Sequence, residues 1–361
     1  MIITANKPVN TRLGFPHTTA TNPTFLEPGH QLDVVQKVYG ELLDGNNEWF
    51  LSREDEYYWS GGFHTTAATL SMPVKNMSDL FDEWRIADFW KQGITGAGVK
   101  VAVIDAGFNP GNIAIKHAIN PDDIPSLQFP DTGHGTYMSA IICGNDVKEG
   151  YLGVAPGVQL HFAEIDTNDN SFNINDLISI LHGLEGYDIV SMSFSFKGGN
   201  TGDTEIIRQF DEVTNKFIDN GNAIFVAATG NKADEMNPYY PAAYPLINAV
   251  AGSESDGSHL HGLSNIWQDV ELIAPFRGYF NKATKSEFTN YFNTDKINGT
   301  SSATAFTAGL IALIKSAHSR QGKVFRNVDL TRFLEDVHVQ TDSASFNLKK
   351  INKEQFFSLL K

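Results

Sequence analysis

The stretch Val99–Asp105 reads VKVAVID, apolar at nearly every position and closed by a carboxylate. A strand with one wet face alternates apolar and polar residues, whereas a strand buried on both faces runs continuously apolar. VKVAVID therefore predicts an inner strand of a parallel sheet with helices on both faces. The segments after it keep the rhythm. HGTYMSAIICG predicts a helix, VQLHFAEI a strand, NDLISILHGLEG a helix, DIVSMSFS a strand, EIIRQFDEVTNKFIDNG a helix and AIFVAATGN a strand. That alternation is the mark of βαβ units. In such sheets the chemistry gathers beyond the carboxyl ends of the strands.

Toward the N-terminus the texture changes. Residues 1–66 are short extended runs divided by turn residues, with LDVVQKVYGELL and EWFLS flanking the hairpin signal Asp44-Gly45-Asn46-Asn47. They predict a small all-β barrel. Residues 67–90 read as a connector with one amphipathic turn or helix at SDLFDEWRIADFW, and 91–361 as the α/β domain.

Composition narrows the function. The chain has 361 residues, 41% hydrophobic, enough for one large core and a small extra domain. A net charge of -15 repels phosphate backbones and anionic lipid, which argues against nucleic-acid and membrane partners. The single cysteine, Cys143, excludes an intramolecular disulfide framework and reads as a small buried hydrophobe. The N-terminus lacks the basic start and apolar core of a signal peptide, and no run is apolar enough to span a bilayer. A cytoplasmic location is expected, or an extracellular or periplasmic one if a leader has been removed.

Four polar residues fall at strand ends or helix starts. Asp105 closes VKVAVID, His134 opens a helix in Gly-His-Gly-Thr, Asn231 closes FVAATGN, and Ser301 opens the long helix of INGTSSATAFTAGLIALI. An Asp, a His and a Ser are what acyl transfer requires. The hydroxyl is a weak nucleophile until an imidazole takes its proton, and the imidazole needs a carboxylate to fix its tautomer. An amide donor such as Asn231 suits an oxyanion. At a helix N-terminus, Ser301 has backbone N–H groups and the helix dipole facing developing negative charge. Taken singly, Ser301 reads as a helix cap, Asp105 and Asn231 as turn residues and His134 as a buried core histidine; their joint occurrence favours chemistry.

Asp-x-Gly after an apolar strand, His-Gly-Thr, Ala-x-Gly-Asn and Asn-Gly-Thr-Ser-x-Ala-Thr resemble the subtilisin-like serine peptidases, in the order Asp, His, Ser. GITGAGVKVAVID, GVAPGVQL, SMSFS and YYPAAYPLINAVAG extend the resemblance over roughly residues 90–319. It implies Asp105, His134 and Ser301 as the catalytic triad and Asn231, with the Ser301 N–H, as the oxyanion hole. It also implies Ser193, Phe194 and Ser195 as a cleft wall that pairs with substrate. The chain departs from the pattern at Ala106, where a hydroxyl is usual, and at Tyr137, where a second histidine is common. Ser302 replaces an oxidation-sensitive methionine, Ala305 a proline, and Ser195 and Phe196 two glycines. The N-terminal LEPGHQLDVVQKVYGE, DGNNEWFLS and YYWSGGF resemble a bacterial SH3-like domain.

The resemblance thus implies a serine endopeptidase acting on a protein or peptide, with a parallel-sheet α/β core and an SH3-like barrel that would bind a peptide, a wall fragment or a partner, or simply pack on the peptidase; the bulk of Ser195 and Phe196 at the cleft edge adds the expectation of restricted specificity. The alternative is a latent or inactive peptidase fold that binds partners through the barrel. No cofactor is required. Structural calcium, common in the family, would find oxygen ligands in Asp166–Asn170, although the spacing is not that of an EF-hand. No metal is assigned; His259-Leu260-His261 reads as a solvated loop. Asp131-Thr132-Gly133 lacks the second carboxylate that an aspartic peptidase needs.

Overall fold

A computed structural model describes residues 2–13, 18, 22, 24–44, 46–52, 54, 56–64, 77–110, 115, 117–119, 133–146, 151–165, 174–197, 203–221, 223–254, 257–277, 298–341 and 343–361. The Asp166–Asn170 stretch and Asp131-Thr132 lie outside these residues. The chain divides into two compact units, one built on Met1–Asn76 and one on Met77–Asn293 and Ile297–Lys361.

The first unit is all β. Its strands are β1 (Ile2–Ala5), β2 (Val9–Asn10), β3 (Arg12–Leu13), β4 (Phe25–Leu26), β5 (Gln31–Leu43), β6 (Asn46–Ser52), β7 (Glu56–Trp59) and β8 (Phe63–His64). Six form an antiparallel sheet in the order β3-β7-β6-β5-β1-β8, and β2 pairs with β4. β5 and β6 meet as a hairpin with Leu43 opposite Asn46. Ile3, Val34, Phe50, Tyr58 and Phe63 form the core, with the Phe50 and Phe63 rings edge to face at 5.4 Å.

The second unit begins with α1 (Met77–Glu83) and α2 (Ile86–Lys91). Next come β9 (Lys100–Asp105), α3 (His134–Cys143), β10 (Asn145–Asp146), β11 (Tyr151–Leu152), β12 (Gln159–Glu164), α4 (Ile174–His182), β13 (Ile189–Met192), α5 (Thr204–Gly221), β14 (Ile224–Ala228), β15 (Ile247–Ser253) and β16 (Leu272–Pro275). The last elements used below are α6 (Thr300–Arg320), β17 (Leu334–Gln340) and β18 (Ser345–Ile351). Eight strands form one sheet in the order β12-β9-β13-β14-β15-β16-β18-β17, parallel except for the β17–β18 hairpin at its edge.

The expected two-sided burial of VKVAVID follows from its place inside this sheet. Val101 and Val103 face one core with α3 and α6, while Ala102 and Ile104 face the other with α4 and α5. α4 is amphipathic and buries Ile174, Leu177, Ile178 and Leu181. α6 is buried without interruption from Thr300 to Ala317, so it runs through the core rather than over it. Its one lysine there, Lys315, is offset by Asp188 at 3.4 Å and the Phe325 carbonyl at 3.0 Å. Leu80 of α1, Trp84 between the two helices, and Ile86 and Phe89 of α2 pack into the same core as α6.

Candidate active site

The strand ends and helix starts bring the sequence-predicted residues to one end of the sheet. Asp105 is the last residue of β9 and is buried. Its Oδ1 accepts the Ala106 N–H at 2.7 Å and pairs with His134 Nδ1 at 2.7 Å. The carboxylate can only accept, so the imidazole carries its proton on Nδ1 and leaves Nε2 as the free base. His134 keeps 46% of its side chain exposed, so Nε2 is reachable from solvent.

The spacing between strand and helix is set by close backbone contact. Gly133 precedes α3, and a Cβ there would lie 1.9 Å from the Gly107 carbonyl oxygen. The Gly135 and Thr136 N–H groups donate to Ala106 and Gly107 carbonyls at 2.9 and 3.2 Å. Any side chain at 133 would push His134 away from Asp105.

The second half of the site is built on β14 and α6. After Ala228 the chain passes through Thr229-Gly230 to Asn231. Asn231 Oδ1 accepts from the Thr300 N–H at 2.9 Å and from the Thr300 hydroxyl at 3.0 Å. The same hydroxyl accepts the Gly230 N–H at 3.0 Å. With Oδ1 held by the helix start, Asn231 Nδ2 has no hydrogen-bond partner among the described residues, and the residue is exposed. Gly299 has φ 119°, and a Cβ there would meet Asn231 Nδ2 at 3.1 Å. Glycine is thus required by backbone and space alike.

Ser301 sits in the first turn of α6, 9% exposed. Its Oγ donates to the Ser193 carbonyl at 2.7 Å, while Ser193 Oγ donates back to the Ser301 carbonyl at 3.0 Å. The hydroxyl is therefore not bonded to His134 in this conformer. The Asp105 Oδ2 atom is buried with no partner among the described residues, as expected where Ala106 supplies no hydroxyl.

Ser193, Phe194 and Ser195 leave the end of β13. Phe194 and Phe196 have ring centroids 5.7 Å apart, and Phe196 exchanges two 2.8 Å backbone bonds with Tyr240. Ser195 Oγ would be 2.6 Å from a Cβ on Gly230, which places it beside the Asn231 loop.

Two supports escaped the sequence reading. Thr300 aims Asn231, and buried Asn265 braces the 229–234 loop. Asn265 Oδ1 accepts the Lys232 and Asp234 N–H groups at 2.7 and 3.1 Å, and Nδ2 donates to the Thr229 carbonyl at 3.0 Å. His261 corrects the expectation of a solvated loop: it is 5% exposed and stacks on Phe276 at 3.8 Å. Burial, and then the Arg277 charge, push its pKa down to about 3, so it stays neutral. Cys143 is fully buried with its thiol pKa pushed up by burial, in line with its reading as a core residue. Among the described residues no group of three or more His, Cys, Asp or Glu side chains could hold a metal, and no helix is long and apolar enough to cross a membrane.

Comparison with known proteins places this site in a family context. A model of the subtilase family (peptidase S8) matches residues 96–348. The minor extracellular protease Epr of Bacillus subtilis is 30% identical over 272 residues, which cover 72% of this chain but only 39% of Epr. The major intracellular serine protease of the same organism is 28% identical, covering 68% of this chain and 77% of its own length. Among solved structures, the prenylagaramide maturation protease PagA superposes with a TM-score of 0.59 at 20% identity, covering 76% of this chain and 98% of PagA. A lanthipeptide protease superposes with a TM-score of 0.58 at 17% identity, covering 77% and 94%. The N-terminal β unit lies outside the family match.

Proposed function

The chain belongs to the subtilase family, and on that premise we propose that it is a serine endopeptidase of restricted specificity that processes a protein or peptide partner. The observation that carries this reading is the 2.7 Å bond between Asp105 Oδ1 and His134 Nδ1, which leaves His134 Nε2 as an accessible base. His134 takes the proton of Ser301 as Oγ attacks the scissile carbonyl. The tetrahedral oxyanion is met by Asn231 Nδ2 and the Ser301 N–H. His134 then returns the proton to the leaving amine, and water repeats the sequence on the acyl-enzyme. For this the Ser301 side chain must rotate away from the Ser193 carbonyl. Losing one neutral hydrogen bond costs about 0.5–1.5 kcal/mol, small against a catalytic barrier, and catalytic bonds often tighten only when substrate arrives.

Restriction is argued from the cleft wall. Ser195 adds bulk beside Gly230, and Phe196 stacks near Phe194 in the stretch where substrate backbone would pair with Ser193, Phe194 and Ser195. The fold also serves a prenylagaramide maturation protease and a lanthipeptide protease. A random peptide library is expected to be cut at a narrow set of sites, and cleavage at many unrelated sites would refute the restriction. The alternative of a latent fold that binds through an SH3-like N-terminal barrel is favoured by the Ser301–Ser193 bond, and the same rotation removes that support.

Two outcomes follow. Asn231→Ala removes one oxyanion donor and is expected to lower kcat by about 10²–10³, as for the corresponding donor in subtilisin, with KM nearly unchanged. The second concerns pH. Burial alone would lower the His134 pKa, but the Asp105 charge and the hydrogen bond outweigh it and leave the pKa raised. The reacting form is the neutral imidazole. So kcat/KM rises with pH, with a midpoint above the ordinary histidine value of about 6.5. A limb centred below that value would contradict the pairing.

A further inference from the structure

A charged hub links the run that leaves β13, Ser193 to Lys197, with the loop from Thr229 to Tyr240 that carries Asn231. Their backbones bond where Phe196 and Tyr240 exchange two N–H···O contacts of 2.8 Å. Their side chains meet at Asp234. Its Oδ2 accepts from Lys197 Nζ at 2.9 Å and from the Tyr239 hydroxyl at 3.3 Å, and the ammonium lies 5.7 Å over the Tyr239 ring. Its Oδ1 accepts the Met236 and Asn237 N–H groups at 3.1 and 3.0 Å and Asn237 Nδ2 at 2.9 Å. The carboxylate thereby fixes the backbone that follows it, as in an Asx turn.

The main chain of Asp234 is held as firmly. Its N–H donates to Asn265 Oδ1 at 3.1 Å, and its carbonyl accepts the Ile266 N–H at 2.8 Å. The same Asn265 holds the Thr229 carbonyl and the Lys232 N–H, on either side of Asn231. Asp234 therefore joins the loop of the oxyanion donor to the run expected to pair with substrate. Stability is not what the ion pair chiefly supplies. Lys197 keeps 46% of its side chain exposed, and pairs with an exposed end add little to folding. What the contact fixes is the spacing of the two segments.

We propose that Asp234 and Lys197 are positioning residues that staple the two sides of the cleft at a fixed spacing, so that peptides needing a wider gap are rejected. The inference rests on the peptidase reading above and names a device for its restricted specificity. The probes for the full chain are a random peptide library and p-nitrophenyl acetate, which acylates the nucleophile without spanning the cleft. Lys197→Met keeps the apolar stem and removes the charge. It is expected to cut the library at more sites. For the peptide that the wild type cuts best, KM should rise about ten-fold and kcat change by less than about three-fold, the pattern of lost binding rather than lost chemistry. The ratio of peptide to ester kcat/KM then falls. Lys197→Arg keeps the charge and should restore the wild-type pattern of sites. Lys91→Met, which breaks the exposed Lys91–Asp88 pair, is the control and should behave as wild type. Asp234→Asn should follow Lys197→Met; if it does not fold, the Lys197 variants decide. An unchanged pattern and KM in Lys197→Met would overturn the staple. So would peptide and ester rates falling together with Tm, the mark of a merely structural role. A wild type that cleaves neither probe would overturn the peptidase reading itself, and the staple with it.

Discussion

Ser301→Ala is expected to lower kcat by about a million-fold while the protein stays folded. The magnitude is the one measured for the nucleophile of subtilisin, where losing serine or histidine alone costs nearly as much as losing the whole triad. On the proposed mechanism, removing Oγ removes the attacking atom, while Asn231 and the start of α6 stay in place to bind a polarised carbonyl. A residual rate of about 10³–10⁴ over water is expected from that remnant. Folding should be little affected, because the lost hydroxyl gives up one bond to the Ser193 carbonyl, while Ser193 Oγ still holds the Ser301 carbonyl. The check is single-turnover and steady-state cleavage of a peptide substrate, with circular dichroism on the same sample. Activity within a few fold of wild type would remove Ser301 from the mechanism.

Asp105→Asn should cost about 10⁴ in kcat, the loss seen when the triad carboxylate is replaced by its amide. The isosteric change keeps the shape of the buried site. The acceptor that holds His134 Nδ1–H becomes an amide that can present its NH₂ instead. Oδ1 accepts both the Ala106 N–H and the His134 Nδ1–H, so an amide oxygen kept there still orients the imidazole but carries no charge to stabilise its cation, and an NH₂ turned there removes the acceptor that fixed its tautomer. The upward push on the His134 pKa also disappears while burial remains, so the acid limb of kcat/KM should move to lower pH. A merely structural role for Asp105 would lower stability without moving that limb.

Much of this was readable in the chain because the signals are local. VKVAVID is apolar on both sides of its pleat, and the run from Ala308 to Ile314 is apolar at every position, so both announce burial before any fold is known. The triad candidates stand out because each polar residue closes or opens such a run. What was not readable depends on bonds between distant segments. Thr300 and Asn231 are 69 residues apart, and Asn265 reaches across 36 residues to the Thr229 carbonyl. No spacing rule marks such pairs. His261 misled because His-Leu-His beside Gly and Ser looks polar, whereas stacking on Phe276 buries it. SDLFDEWRIADFW carries a helical period, but only the fold reveals that Trp84 packs edge to face on Phe306 at 5.9 Å.

The central claim is that Ser301, His134 and Asn231 form a working acylation site. Labelling the purified chain with a fluorophosphonate, followed by mapping of the modified peptide, tests it most directly. Reaction at Ser301, abolished in Ser301→Ala and slowed in Asn231→Ala, is the predicted result. A well-folded protein that takes no label, or takes it at another residue, would contradict it.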